Sequence, residues 1–316
     1  MRSSRSPSSE VTGAEAGDYR FTPEALNIAG RRPGISAFMR IRNGADFLEA
    51  TIRSHIAHFD EIVAVHNRCT DATPDILARL AAEFGPRLRV HHYLPEVYPP
   101  GSDGHRTEPP DSPRSLVNYY NFALAQTRFS HATKLDDDHL GMEEGLQALV
   151  GGVRNGDFGR EMSCFSGFNL ARDAAGSLGI LAREPFSGGG DIGIFPVTGD
   201  TYFEHDARFE RFRRGGLKRR FRGFVYWHLK YLKPGFGFAN YDLANNPDSR
   251  YARRLKALET GRAVVPLRAV GTLAGPGERV LRALRGAGLP LPEKTALIAD
   301  RWRAAADVHA SLPDLP

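Results

Sequence analysis

Three carboxylates in a row, Asp136, Asp137 and Asp138, followed at once by His139, are the residues of this chain best suited to chemistry. They lie in the string HATKLDDDHLG, at the end of a short run with strand character. Like charges this close make one another costly to ionise. A turn that only needs solvation can use Asn, Ser or Gly. A compensating cation explains the cluster better. Hard oxygen ligands, few in number and leaving room for phosphate oxygens, suit Mg2+ or Mn2+. The plain alternative is a solvated acidic turn that caps the following helix.

The elements that must position these carboxylates are legible from hydrophobic period. GISAFMRIRN (34–43) reads as a strand, and ADFLEATIRSHIAHF (45–59) repeats apolar residues at helical spacing. EIVAVHN (61–67) is a compact β-branched strand. DATPDILARLAAEFG follows as a helix, with Thr73 as N-cap, Pro74 at its first position and Gly85 as its stop. RLRVHHYL (87–94) is a third strand. This β-α-β-α-β order predicts parallel strands with crossover helices. Ligands in such sheets bind beyond the carboxyl ends of the strands. That rule selects Arg40 to Gly44, His66 to Asp71, and the stretch after Leu94.

The stretch after Leu94 is a long Pro- and Gly-rich loop, residues 95–113, of the kind that carries function. A helix over RSLVNYYNFALAQT and a strand ATKL then deliver the aspartates, and a helix over 141–153 follows. Residues 158–200 are rich in Gly and aromatics and read as short strands and loops.

Composition bounds the class. The 316 residues, 41% hydrophobic and 25% charged, suit an ordinary globular chain. No apolar run is long enough to span a bilayer. The first 32 residues lack the apolar core of a secretory signal and read as a disordered polar tail. Cys69 and Cys164 alone make neither a disulfide framework nor a zinc spacing, so the reducing cytosol is the simplest compartment. The net charge of +5 is concentrated in RFERFRRGGLKRRFRGF (208–224) and in the C-terminal segments. Such a patch suits nucleic acid, anionic lipid or a phosphorylated small molecule, or is a solvated face. Residues 33–244 form the main α/β domain in this reading. Residues 245–316 form a helical appendage, basic and rich in Ala and Leu.

The strings MRIRNGADFLEATIRSH, DEIVAVHNRCTDATPDIL and NYYNFALAQTRFSHATKLDDDH, in that order and spacing, resemble the family 2 glycosyltransferases. The resemblance covers roughly residues 34 to 230. It implies a GT-A-type, Rossmann-like nucleotide-binding domain with a mainly parallel mixed sheet. It also implies a nucleotide-sugar donor, Mn2+ or Mg2+, and an acceptor that is a glycan, a lipid-linked glycan or a small molecule, with no nucleic acid. The family's Asp-x-Asp metal motif corresponds to Asp136–Asp138, and its metal-proximal histidine to His228. Its Gly-rich loop corresponds to SGGG (187–190). Its catalytic base falls on Asp200, with Glu204 as the alternative. Donor contacts fall on Arg40, Asn43, Asn67, Asp71, Lys134, Asp136 and Asp137. Where the family carries an Asp for the donor's uracil, this chain has His66 or Asn67, so the base is left open. Gly199 stands where the family's acidic element has Glu.

The implied reaction is inverting transfer to an acceptor hydroxyl, in glycan or cell-envelope polysaccharide synthesis. Lys134, Arg40 and the basic run 211–222 would neutralise diphosphate or an anionic acceptor. Two other readings stay open: a nucleotidyltransferase of similar fold, and a catalytically silent carbohydrate-binding or scaffold protein. The C-terminal segments SRYARRLKALET and GERVLRALRGAG pack one apolar stripe on a core, or meet the inner face of a membrane peripherally through residues 250–316.

Overall fold

The computed structural model describes residues 19–188, 192–205, 210–261, 263–308 and 310–315. Strand β1 (Arg32–Ile41), helix α1 (Leu48–His55), β2 (Glu61–His66), α2 (Thr73–Phe84) and β3 (Leu88–His92) follow one another in the expected order. β1 pairs in parallel with β2, and β2 with β3. Side chains of β1 alternate between two buried layers. Ile35, Ala37, Met39 and Ile41 pack with Leu48 and Ile52 of α1 and Leu77 and Leu80 of α2. Phe38 faces the other layer, with Tyr119, Tyr120 and Leu124. Thr73 is the first residue of α2 rather than its cap, and its hydroxyl accepts from the Gly44 amide at 2.9 Å.

The long loop after β3 contains a short helix, α3 (Asp103–Thr107), and leads into α4 (Leu116–Ala125). β4 (Phe129–Lys134) lies parallel to β1 on the side away from β2 and ends just before the aspartates. Then come β5 (His139–Gly141), α5 (Glu143–Arg154), β6 (Met162–Arg172), β7 (Leu178–Leu181), β8 (Phe186–Ser187) and β9 (Gly193–Pro196). β10 (Thr201–His205) and β11 (Glu210–Arg214) form a separate antiparallel pair. β12 (Arg219–His228) returns to the main sheet, and α6 (Arg250–Thr260), β13 (Val264–Val265), α7 (Pro276–Gly286) and α8 (Glu293–Ala306) complete the chain.

The main sheet runs β13-β7-β6-β9-β4-β1-β2-β3, with β12 and β8 also on β6 and β5 on β12. It is the mixed α/β sheet expected. Its first four strands are parallel, and β9, antiparallel to both β4 and β6, joins them to the second half. Within that half β6 and β12 are again parallel.

Two boundaries differ from the sequence reading. The tail ends sooner than residue 32. Tyr19 packs its ring on Tyr93 and Phe122, and Leu26 is 1% exposed. Asn118 ties this segment down by donating to the Tyr19 carbonyl and accepting from the Phe21 amide. The C-terminal helices are not a detached appendage. Val270, Trp302 and Ala305 share a core with Phe168 and Leu170 of β6 and Phe224 and Trp227 of β12. β13 also extends the sheet through β7. The apolar stripe of α8 had a ready partner in the far end of the sheet. None of the residues of α7 is buried, and Val280 and Leu289 are exposed. No helix among the described residues is long and apolar enough to cross a membrane.

If residues 245–316 belong to this core, Trp302→Ala, which removes the ring standing 4.7 Å from Phe186, should destabilise the whole domain. The expected cost is about 3–5 kcal/mol in urea unfolding, in a single transition. Loss of a C-terminal signal alone, with the sheet unaffected, would mark a detached appendage instead.

Candidate active site

The registers of β6, β12 and β5 set three side chains in a row. Asn169 of β6 lies opposite His228 of β12, and His228 lies opposite His139 of β5. Directly opposed residues in paired strands present their side chains to the same face. Asp138, one residue before β5, is fixed by its carbonyl accepting from the Leu229 amide at 2.8 Å. The aspartates thus reach the imidazoles because β4 and β5 are joined by only a few residues across the sheet.

Asn169 determines which ring nitrogen of His228 is the hydrogen-bond donor. Its amide nitrogen donates to the Glu184 carbonyl at 2.8 Å, which leaves Oδ1 to face His228 Nδ1 at 2.6 Å. Nδ1 is therefore the donor, and neutral His228 presents an Nε2 lone pair. That nitrogen lies 3.5 Å from Asp138 Oδ1. His139, 1% exposed, stacks on Tyr226 at 3.7 Å, and its Nε2 has no hydrogen-bond partner among the described residues. One ligand atom from each of Asp138, His139 and His228 lies within 4.8 Å of the others. Lone pairs converging without a proton between them suit a divalent cation.

The carboxylates also meet internal cations. Lys134 Nζ lies 2.9 Å from Asp136 Oδ2. Lys233 Nζ spans Asp137 Oδ2 at 2.7 Å and Asp138 Oδ2 at 3.0 Å. Burial works against ionising Asp136, but Lys134 outweighs it and holds the carboxyl well below its usual range. Burial likewise opposes ionised Asp138, and the Lys233 ammonium overcomes it, so this carboxyl also stays well below the usual range. For Asp137 burial wins over Lys233 and pushes the carboxyl up to about 6. Burial lowers His139 to about 3, which keeps its imidazole neutral.

The three aspartates, His228, Lys134 and Lys233 line a cavity of about 580 Å3, and His139 lies behind that wall. Arg40, Arg42, Lys134, Lys230, Lys233 and Arg250 line it, against the carboxylates of Asp136, Asp137, Asp138 and Glu210. The surplus of cations favours an anionic ligand. Arg40 lies on the same face of β1 as Phe38, with its guanidinium 3.1 Å from the Tyr120 ring centre and its Nε unpartnered. Asn67, at the end of β2, spends its amide hydrogens on the Tyr93 and Pro95 carbonyls, both at 2.7 Å. Its Oδ1 remains buried without a hydrogen-bond partner among the described residues, and Asn67 is one of the residues that line the cavity. Burial lowers the Lys230 ammonium to about 8.

Other expected residues lie elsewhere. Asn43 and Asp71 do not line the cavity. Asn43 Oδ1 accepts from the Thr70 amide, and Asp71 from the amides of Ala45 and Thr73. They pin two loops together at the strand ends. Asp200 and Glu204 are also off the cavity wall, paired with Arg213 and, for Glu204, with Arg211. Among the described residues of this hairpin, the carboxylate that lines the cavity is Glu210, which the sequence reading passed over. The basic run 211–222 is largely committed to surface pairs, with Arg214 and Arg219 on Glu293 and Arg220 and Arg222 on Glu161. Of the Gly-rich loop, Ser187 and Gly188 line the cavity, whereas Gly189 and Gly190 lie outside the described residues. Lys233 and Asn169 carried no motif signal. His139 did, by standing next to the aspartates.

No protein-family model and no curated protein matches the chain. Among solved structures it is similar to glucosyl-3-phosphoglycerate synthase from Mycobacterium tuberculosis in complex with Mn2+, uridine diphosphate and phosphoglyceric acid. The identity is 21%, the TM-score 0.30, and the match covers 46% of each chain. A complex of the same synthase with Mg2+ and uridine diphosphate matches at 20% identity and TM-score 0.30, covering 47% of this chain and 48% of that one. S. aureus TarS, residues 1–349, matches at 13% identity and TM-score 0.37, covering 86% of this chain and 90% of that one. The matched part is about half of the synthase's length. Likeness at this level assigns neither family nor activity.

The Asn169 contact has a direct readout. Long-range proton–nitrogen NMR at neutral pH should find His228 as the Nδ1–H tautomer. Asn169→Leu should abolish that single tautomer and cost about 1–3 kcal/mol of stability, the penalty for stranding buried polar groups. A His228 already protonated on Nε2 in the unmutated protein would contradict the assignment.

Proposed function

We propose that this chain is a divalent-metal-dependent glycosyltransferase, moving a sugar from a nucleotide-sugar donor to an acceptor hydroxyl. The observation that carries this reading is one cavity with three chemistries along its wall. Its lining holds Asp138 and His228 of the carboxylate–imidazole cluster, more cations than carboxylates, and, at the end of β2, Asn67 with its unpartnered amide oxygen. A diphosphate matches the cations, and a nucleobase N–H matches Asn67 Oδ1. The resemblance of the β1-to-Asp138 strings to family 2 glycosyltransferases supports the same assignment.

Asp138 and His228 would hold Mn2+ or Mg2+, which when bound supplies positive charge to the leaving diphosphate. Lys134 and Lys233 already keep the carboxylates ionised and oriented in a desolvated wall. Lys230 and Arg40 stand ready for anionic oxygens of the donor or of an acidic acceptor. The base that the sequence sought at Asp200 or Glu204 we assign to Glu210, on the cavity wall and without an ion pair among the described residues. It would take the proton of the acceptor hydroxyl as that oxygen attacks the anomeric carbon. Attack opposite the leaving group gives inversion. A nucleotidyltransferase is the weaker reading, because the loop after β1 offers Gly44 alone for a phosphate. For the acceptor we favour a glycan or lipid-linked glycan. Val280, exposed beside Arg279 on the unburied helix α7, is the feature that suits a peripheral lipid surface.

The reading is tested with UDP-, GDP-, CMP- and dTDP-sugars, each with and without Mn2+, in a thermal-shift panel. One donor at 100 times its dissociation constant should stabilise the fold by about 2.7 kcal/mol, and only with metal present. Failure of every donor would leave a silent scaffold. With the donor in hand, Glu210→Gln should lower turnover by ~10²-fold or more while leaving donor affinity near normal. Turnover close to the unmutated rate would remove the base from Glu210.

A further inference from the structure

The charge pairing around the aspartates separates groups that are already compensated from groups that are not. Asp136 has Lys134 at 2.9 Å, and Asp137 has Lys233 at 2.7 Å. Each of these carboxylates has its cation within the chain. Asp138 shares Lys233 through Oδ2, but its Oδ1 faces His228 Nε2, whose proton is on the other ring nitrogen. His139 Nε2 is the third group. It is shut off from solvent and has no hydrogen-bond partner among the described residues. Its nearest carboxylate contact, Asp136 Oδ2 at 3.7 Å, is too long for a hydrogen bond.

The His139 ring cannot turn toward another partner. Tyr226 stacks on it at 3.7 Å and 16°, and β5 holds its backbone against β12. Packing thus holds the ring where one of its nitrogens lies within 4.8 Å of a ligand atom of His228 and of Asp138. Metal bonds of about 2.1 Å set neighbouring ligand atoms roughly 3.0–3.4 Å apart. The 3.5 Å between His228 Nε2 and Asp138 Oδ1 already approaches that spacing.

We propose that His139 is a metal ligand, completing with His228 and Asp138 a two-imidazole, one-carboxylate site, while Asp136 stays outside the coordination sphere. Imidazole nitrogen favours ions of borderline softness, whereas Mg2+ demands oxygen. The site therefore takes Mn2+, Co2+ or Zn2+ in preference to Mg2+. This rests on the glycosyltransferase reading only in that both put a divalent ion on Asp138 and His228. The ligand set is testable with no nucleotide or acceptor.

The experiment uses the full chain, stripped of metal, titrated calorimetrically with Mn2+ and separately with Mg2+. Mn2+ should bind at least tenfold more tightly. Electron spin-echo spectroscopy of the Mn2+-loaded protein should show couplings to two imidazole nitrogens, a result that requires no variant to fold. His139→Phe keeps an aromatic ring against Tyr226 and removes the nitrogen. It should lose one of the two couplings and weaken Mn2+ binding at least tenfold. Asp136→Asn should stay within about threefold of the unmutated affinity. A single nitrogen coupling in the unmutated protein, equal affinities for Mn2+ and Mg2+, or an Asp136→Asn loss as large as that of His139→Phe would each overturn the assignment. Any of those results with metal still bound leaves the transferase reading standing. No binding of any divalent ion removes both.

Discussion

The site depends on one strand register. Asn169, His228 and His139 form a single cross-strand row because β12 lies between β6 and β5. A slip of one residue would turn every side chain of β12 to the opposite face. It would put Trp227 in the place of His228 and bury the imidazole among the aromatics that now receive Trp227. Packing resists such a slip. Phe224 and Trp227 share a core with Phe168 and with the C-terminal helix residue Trp302. The helices that look accessory in the sequence therefore hold the register on which the chemistry rests.

Around that row the fold handles a charge problem. Desolvating three adjacent carboxylates is costly unless cations come with them. Two lysines do this from different directions. Lys134 arrives on β4 immediately before the cluster, and Lys233 arrives from the loop after β12. That loop turns sharply through Gly235, Phe236 and Gly237, all at positive φ. A left-handed Phe is uncommon, and here it lies in the bend just after Lys233, whose carbonyl accepts from the Phe236 amide at 3.0 Å. With Asp136 and Asp137 so matched, the unmatched lone pairs gather at Asp138 and the two imidazoles, where an ion has both charge and ligands to meet.

The acidic hairpin follows a related logic. β10 and β11 lie apart from the main sheet, and cross-strand pairing sets Glu204 beside Arg211 and Arg213. Those pairs are largely exposed, and exposed pairs contribute little to stability. Their consequence is positional: they commit Asp200 and Glu204 to the solvent side and leave Glu210, at the start of β11, on the cavity.

The sequence by itself determined the alternation of strands and helices from β1 to β4 and the presence of acidic groups at a strand end. It also placed His228 at the end of a strand. These follow from local period and from the rule that parallel strands deliver loops to one edge, and both are written in short windows of residues. Asn67 was legible for the same reason, as the residue that follows β2. The tertiary structure decided everything that depends on which distant strands pair. Asn169 and His228 are neighbours through a parallel ladder, and His139 and His228 through an antiparallel one, and no local pattern encodes either choice. It also decided which charges are spent. Asp200, Glu204, Asn43 and Asp71 have the residue types for chemistry, yet each is held by a cross-strand or loop-to-loop partner. A side chain's type is local, whereas its free lone pairs depend on what the fold brings within 3 Å of it.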